Sequence, residues 1–191
     1  MVTDMIKSNP AIEDVIEKVL ISEEMINEAV ERIAADIDRD YSEKNLLLLG
    51  ILKGSVVFMG DLMKKIKSPL EIDFMKVSSY GAGTTSSGRI NIILDLHRSD
   101  LSEKDIIIVE DIIDSGRTLS YLVEYLSLNG ARSVKTCTLL DKPTRRTVEF
   151  VPDYVGYEIP DEFVVGYGLD YDEQYRALPY VGVLKREVYE S

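Results

Sequence analysis

An α/β fold, a parallel twisted sheet flanked by helices, is predicted by three features of this sequence. Apolar runs such as NLLLLGI (45–51) and DIIIVED (105–111) fit strands buried on both faces. Segments with helical apolar spacing alternate with those runs, as crossover helices of a parallel sheet would. Turns rich in glycine and charge follow the runs, where open parallel sheets bind ligands.

The elements follow in order. ISEEMINEAVERIAADIDRDY (21–41) predicts a helix, with Ser22 as cap, Glu23 and Glu24 at the positive end of the dipole, and Ile26, Val30, Ile33 and Ile37 forming one apolar stripe. NLLLLGI is a buried strand, and the turn Lys53-Gly54-Ser55 leads to a short helix through Met63. LEIDFMKVSSY (70–80) alternates, with Ile72, Phe74 and Val77 giving a strand of mixed faces. GAGTTSSG (81–88) is too rich in Gly, Ser and Thr to hold one shape and reads as a hairpin tip or a lid. RINIIL and DIIIVED are strands; SGRTLSYLVEYLSLNG (115–130) is a helix stopped at Asn129-Gly130. SVKTCTLL (133–140) is the next strand, and YVGYEI and FVVGYGL are shorter apolar runs. No repeat, low-complexity linker or boundary divides the 191 residues, so one domain, 1–191, is expected.

Composition narrows the function. With 45% hydrophobic and 29% charged residues, the chain can bury a core without disulfides or structural metal. Its formal net charge of -12 opposes generic nucleic-acid binding, which needs a positive surface. Cys137 lies in an alternating run and reads as a buried structural thiol; the lone His97 argues against a zinc site. The N-terminus lacks the pattern of a signal peptide, and the most apolar stretch is interrupted by Lys53 and Asp61. A soluble cytoplasmic protein without membrane or nucleic-acid partners is expected.

The chemistry concentrates in IIIVEDIIDSGRTL (106–119). A strand runs into a Ser-Gly turn and a helix start, the setting in which backbone N–H groups from Ser115 to Thr118 hold a phosphate without a cation. Ser115 and Thr118 add hydroxyls. Neither a Walker loop nor a G-x-G-x-x-G motif is present. Glu110, Asp111 and Asp114 crowd the same turn, so they serve something other than the phosphate: sugar hydroxyls, or a hard cation such as Mg²⁺.

VEDIIDSG (109–116) resembles the phosphoribosyl pyrophosphate signature of the type I phosphoribosyltransferases. GILKGS, SSYG, LLDKPTRR and VGYEIPDEFVVGYGLDYDEQYR follow in the order found in the hypoxanthine-guanine branch, which this chain resembles from its first long helix to its C-terminus; the lid segment is similar to bacterial members. The resemblance implies purine salvage: transfer of the 5-phosphoribosyl group to hypoxanthine or guanine, giving IMP or GMP plus pyrophosphate. It implies that Ser115, Gly116, Arg117 and Thr118 hold the 5′-phosphate. Glu110 and Asp111 would face the ribose hydroxyls and Mg²⁺, with Ile112 also contacting substrate. Asp114 would accept the purine proton. Lys53 and Gly54 would form the pyrophosphate loop, with a cis peptide joining Leu52 and Lys53. Lys142 would donate to the 6-oxygen, although its DKPTRR setting reads on its own as an exposed turn. Phe163 would stack on the base and Val164 offer backbone groups to it. Asp170 would hold a second Mg²⁺, Arg176 would contact pyrophosphate, and Ser79 and Tyr80 would open the lid. Relatives carry Thr in place of Ser115 or Lys in place of Arg117, changes that keep hydroxyl and charge. The resemblance also implies a small hood from the terminal segments and a homodimer or homotetramer. Two alternatives share the fold: a regulator that senses phosphoribosyl pyrophosphate, disfavoured by the acidic charge, and a transferase for another base. Xanthine stays open, whereas adenine is disfavoured because an ammonium at Lys142 cannot accept from its amine.

Overall fold

The computed structural model describes residues 14–79, 90–97 and 100–190, and Ser79 through its backbone alone. Strands β2 (Leu46–Leu52), β3 (Leu70–Ser79), β4 (Ile90–Leu94), β5 (Asp105–Ile113), β6 (Ser133–Asp141) and β7 (Tyr154–Glu158) form a sheet of order β4-β3-β2-β5-β6-β7. All its pairings are parallel except β3–β4.

The two-residue period of the strands explains the layering. Leu46 and Leu48 of β2, with Ile107 and Val109 of β5, face one core, which they share with Ile26, Val30, Ile33 and Ile37 of helix α1 (Glu23–Tyr41) and Phe58, Met59 and Leu62 of α2 (Val56–Lys65). Leu47 and Leu49, with Ile106 and Ile108, face the other, built with Leu119, Leu122 and Leu126 of α3 (Arg117–Leu128). A strand covered on both sides has no polar face, so β2 is unbrokenly apolar. The stripe expected on α1 is the buried one, and Ser22 Oγ accepts from Met25 N at 3.3 Å as its cap. Gly130, at φ +89°, ends α3 as expected. Cys137 is fully buried, and burial pushes its thiol pKa up.

Four features differ from the sequence reading. Strand β4 runs antiparallel at the sheet edge, with Ser79 opposite Ile90; Tyr80 and GAGTTSSG lie outside the described residues. In β3 the fully buried side chain is Met75, and Ile72 is exposed, because Met75 joins the core that holds Leu47 and Leu49 whereas Ile72 packs into neither core. FVVGYGL keeps only Val164–Val165 as strand β8, since Gly166, Tyr167 and Gly168 take left-handed φ of +99°, +50° and +100°. Strand β8 joins β1 (Ile16–Ile21) and β9 (Val181–Leu184) in a separate antiparallel sheet of order β1-β9-β8, followed by one helical turn, α4 (Arg186–Tyr189). Strand β1 exposes Glu17, Lys18 and Val19 in succession, and its pairing with β9 fixes it rather than an apolar alternation. Among the described residues no helix is long and apolar enough to cross a membrane.

At the β6–β7 contact, a Cβ on Gly156 would lie 2.3 Å from the Leu139 carbonyl oxygen. Gly156→Ala must therefore part the strands. The expected cost is about 1–3 kcal/mol, read as a lower urea midpoint at unchanged slope; an unchanged midpoint would mean that the strands yield freely.

Candidate active site

Strands β2, β5 and β6 lie adjacent and parallel, so the segments leaving their C-terminal ends meet. The first is Lys53-Gly54-Ser55. The Leu52–Lys53 peptide is cis, as the resemblance implies. Buried Ser55 donates from Oγ to Ile51 O at 2.7 Å and pins the turn. Two close approaches pack three segments together. A Cβ on Gly54 would stand 1.6 Å from Asp111 Oδ2, and one on Gly168 2.0 Å from Gly54 O. Glycine is required at position 168, which meets backbone at φ +100°, whereas a side chain at position 54 would have to displace the Asp111 carboxylate.

The end of β5 carries the acids. Glu110 Oε2 is buried with no hydrogen-bond partner. Its burial, and then the charge of Asp111, raise the Glu110 carboxyl well above its ordinary range. Burial pushes Asp111 up to about 6; backbone N–H groups, the Ile112 amide first, and the Arg176 charge pull against it, while Asp170 adds to it. Beyond them the chain wraps a cavity of about 120 Å³ lined by Glu110, Ile112, Asp114, Ser115, Gly116 and Thr118. Gly116 takes φ +80° at the helix start, and Arg117 N lies 3.4 Å from Ser115 Oγ. The Arg117 side chain donates from Nε to Thr147 Oγ1 at 3.0 Å, and Thr147 N donates to Ser115 O at 3.1 Å. Arg117 thus braces the loop.

A second cleft, about 520 Å³, adjoins this one and shares Ile112 and Asp114 with it. It is lined also by Lys142, Phe163, Val164 and Asp170. Lys142 follows β6 and is buried, in contrast to the exposed turn that DKPTRR suggests. Its Nζ donates to Glu162 O at 2.7 Å and stands 3.8 Å from Asp114 Oδ1. Lys142 N also donates to Ile113 O at 3.0 Å, tying the β6 loop to the β5 loop. Phe163 stacks on Tyr189 of α4 with ring centroids 4.7 Å apart and meets Tyr171 edge-on at 5.7 Å.

At the far side Arg176 donates from Nη1 to Gly168 O at 2.8 Å, and its Nη2 pairs with Asp170 Oδ1 at 2.8 Å. Its Nε is buried without a partner. Lys53 and Arg176 both reach Glu173. Ser79 ends β3; its side chain and Tyr80 lie outside the described residues.

Four residues of the site escaped the sequence reading. Arg146 donates to the Ile113, Asp114 and Phe150 carbonyls and to the Asp141 carboxylate, so it holds the β5 and β6 loops together. Glu162 supplies the carbonyl that orients Lys142, Tyr189 supports Phe163, and Glu173 bridges the two cations. Arg146, Glu162 and Glu173 stand inside runs already singled out, LLDKPTRR and VGYEIPDEFVVGYGLDYDEQYR; no pattern marked Tyr189.

Residues 22–172 match the family model described as a phosphoribosyl transferase domain. The chain belongs to the phosphoribosyl transferase family. The matched span of this phosphoribosyl transferase includes the whole six-stranded sheet, while β1 and β9 lie outside it. It is similar to the hypoxanthine-guanine phosphoribosyltransferase of Bacillus subtilis (strain 168), 56% identical over 176 residues that cover 92% of this chain and 97% of that protein. It is also similar to the bifunctional protein TilS/HprT of Listeria monocytogenes serotype 4b, 52% identical over 187 residues, 98% of this chain. The chain spans 29% of the length of that bifunctional relative. A crystal structure of a hypoxanthine phosphoribosyltransferase from Staphylococcus aureus superposes with a TM-score of 0.92 at 48% identity, covering 97% of this chain and 100% of that one.

The raised Asp111 pKa predicts a pH effect. Between the ordinary carboxylate range and about 6 the folded chain holds a proton at Asp111 that the unfolded chain has lost. The residue therefore costs no stability below about 4 and costs progressively more up to about 6. The melting temperature of Asp111→Asn minus that of the wild type should grow from pH 4 to pH 6 and level off above. A difference independent of pH would contradict the shift.

Proposed function

We propose that this chain transfers the 5-phosphoribosyl group from phosphoribosyl pyrophosphate to the 6-oxopurines hypoxanthine and guanine, releasing pyrophosphate, as a purine salvage enzyme. One observation carries the reading: the Lys142 ammonium and the Asp114 carboxylate, 3.8 Å apart, line a cleft that adjoins the small cavity at the start of α3. Donor and acceptor at that separation suit the 6-oxygen and the imidazole edge of one purine. The Bacillus subtilis relative is named for hypoxanthine and guanine and the Staphylococcus aureus relative for hypoxanthine, which supports these bases.

The 5′-phosphate takes the cavity at the start of α3, held by the amides from Ser115 to Thr118 and by the Ser115 and Thr118 hydroxyls. The base takes the larger cleft, its 6-oxygen accepting from Lys142 Nζ, its face on Phe163, its edge on the Val164 backbone. The reacting ring nitrogen forms the bond to the anomeric carbon, and pyrophosphate leaves with the electron pair of the broken bond. Asp114 takes the proton that the imidazole ring gives up. Lys53, Gly54 and Arg176 hold the pyrophosphate. Charge building on the sugar ring makes the placement of acids decisive, and positioning two substrates together supplies the remainder.

Glu110 and Asp111 face the ribose hydroxyls. The residues present fit Mg²⁺: an unpartnered, buried Glu110 oxygen and hard carboxylate donors suit an oxygen-preferring cation. Among the described residues no three acids are grouped to hold an ion by themselves, so substrate oxygens would complete the shell. Glu110 and Asp111 would hold one ion and Asp170 another. When bound, Mg²⁺ neutralises the departing pyrophosphate. The sheet β1-β9-β8 serves as a small hood, with β8 bringing Val164 to the base, and residues 79–88 serve as the lid. A homodimer or homotetramer in the cytoplasm completes the reading.

Asp114→Asn should leave KM for both substrates nearly unchanged and lower kcat about 10²–10⁴-fold; wild-type turnover would remove Asp114 from the proton step. Lys142→Gln should weaken hypoxanthine and guanine use, because a charge-assisted bond becomes neutral. It should also bring adenine closer, because an amide offers an acceptor as well as donors. The hypoxanthine-to-adenine ratio of kcat/KM should fall about tenfold or more. The same ratio in both proteins would mean that Lys142 does not read the base.

A further inference from the structure

The two cations assigned to pyrophosphate share one carboxylate. Lys53 Nζ lies 2.9 Å from Glu173 Oε1, and Arg176 Nη2 lies 3.2 Å from Glu173 Oε2, so each oxygen serves one cation. The cations come from segments far apart in sequence, the turn after β2 and the loop after β8. Packing does not put Glu173 between them, since its side chain is 64% exposed. The backbone does. Asp172, Glu173 and Tyr175 hold φ of +48°, +62° and +72°, left-handed values that are uncommon for Glu and Tyr. Glu173 N donates to Asp170 Oδ2 at 2.9 Å, which ties this turn to the acid beside Arg176. Residues held in such conformations gather at functional sites.

We propose that Glu173 is a placeholder for the leaving group: its carboxylate occupies Lys53 and Arg176 in the free enzyme, competes with pyrophosphate for them, and so hastens pyrophosphate release. The inference rests on the assignment of Lys53 and Arg176 to pyrophosphate. A diphosphate carries more charge and more acceptor oxygens than a carboxylate, so it displaces Glu173 when it arrives. Exposed ion pairs are worth little, so the displacement costs little. After the transfer, the same carboxylate stands ready to take the cations back. Such a competitor is useful because binding the leaving group equally well before and after reaction adds nothing to turnover, whereas slow product release lowers it. Arg176 keeps its place without Glu173, since Gly168 O and Asp170 also hold it.

The test is calorimetric titration of pyrophosphate with Mg²⁺ into the whole chain, for the wild type, Glu173→Gln and Glu28→Gln. Glu28 is exposed on α1, and its neutralisation changes the net charge equally. The Kd of Glu173→Gln should be about three- to tenfold lower than that of the wild type, with Glu28→Gln unchanged and the product-inhibition constant for pyrophosphate moving in parallel. Glu173→Asn, a residue type that tolerates left-handed backbone, should behave like Glu173→Gln. Equal or weaker binding by both Glu173 variants overturns the placeholder, as does equal tightening by Glu28→Gln. Lys53→Met separates the two layers: binding lost in Lys53→Met but unchanged in the Glu173 variants leaves the subsite standing and removes the placeholder. Binding unchanged in Lys53→Met removes the subsite and the placeholder together.

Discussion

In the register of the large sheet Gly50 stands level with Val109, and Val109 with Cys137. That parallel pairing makes β2, β5 and β6 end side by side. The three segments that leave them carry Lys53, the acids with the α3 turn, and Lys142. The apolar alternation that sends Leu46 and Leu48 to one core and Leu47 and Leu49 to the other fixes the register. A slip of one residue would exchange the two cores and misplace each loop against the next. The contacts between loops depend on that alignment: Lys142 N on Ile113 O, Arg146 on the Ile113 and Asp114 carbonyls, and the Asp111 carboxylate against Gly54.

Charge in this site is arranged by burial more than by pairing. Glu110 and Asp111 sit where ionisation is costly, and both carboxyls are raised by desolvation first. An environment of that kind rewards cationic or hydroxyl partners brought in by a ligand, because each one relieves a cost already present. The cations lie farther out. Lys53 is half-exposed and paired with Glu173, and Arg176 is pinned by a carbonyl and two acids. The cavity at the start of α3 has no Lys or Arg in its lining, and Arg117 turns aside to Thr147. The acidic total of the chain therefore coexists with two cations, Lys53 and Arg176, gathered at Glu173 beyond the end of β2.

The fold was largely legible in the sequence because its signals are local. The unbroken apolar runs at 46–52 and 106–109, the stripe on α1 and the stop at Gly130 each follow from burial or from backbone preference at the position itself. Strand β1 was illegible because nothing in IEKVLI alternates; it is a strand only because β9 lies beside it. FVVGYGL misled in the other direction, since three left-handed residues turn an apolar run into a loop after two strand residues. The Ser-Gly turn and its three acids were visible from spacing alone, and the structure brings the turn, with Glu110 and Asp114, to one cavity that adjoins the larger cleft. Lys142 did not announce itself: DKPTRR is polar, and its lysine is buried only because Glu162, from a segment 20 residues onward, supplies the carbonyl it needs. Tyr189 under Phe163 is a contact of the same tertiary kind.

The central claim is that Lys142 and Asp114 select and activate a 6-oxopurine beside a phosphoribosyl site. It is tested most directly by incubating the chain with phosphoribosyl pyrophosphate and Mg²⁺ and, separately, hypoxanthine, guanine, xanthine, adenine and orotate. The nucleotides and the pyrophosphate released are then identified. IMP is expected from hypoxanthine and GMP from guanine, each with one pyrophosphate per nucleotide, and little product from adenine or orotate. Transfer to adenine or orotate in preference to both 6-oxopurines, or no transfer to any base, would contradict it.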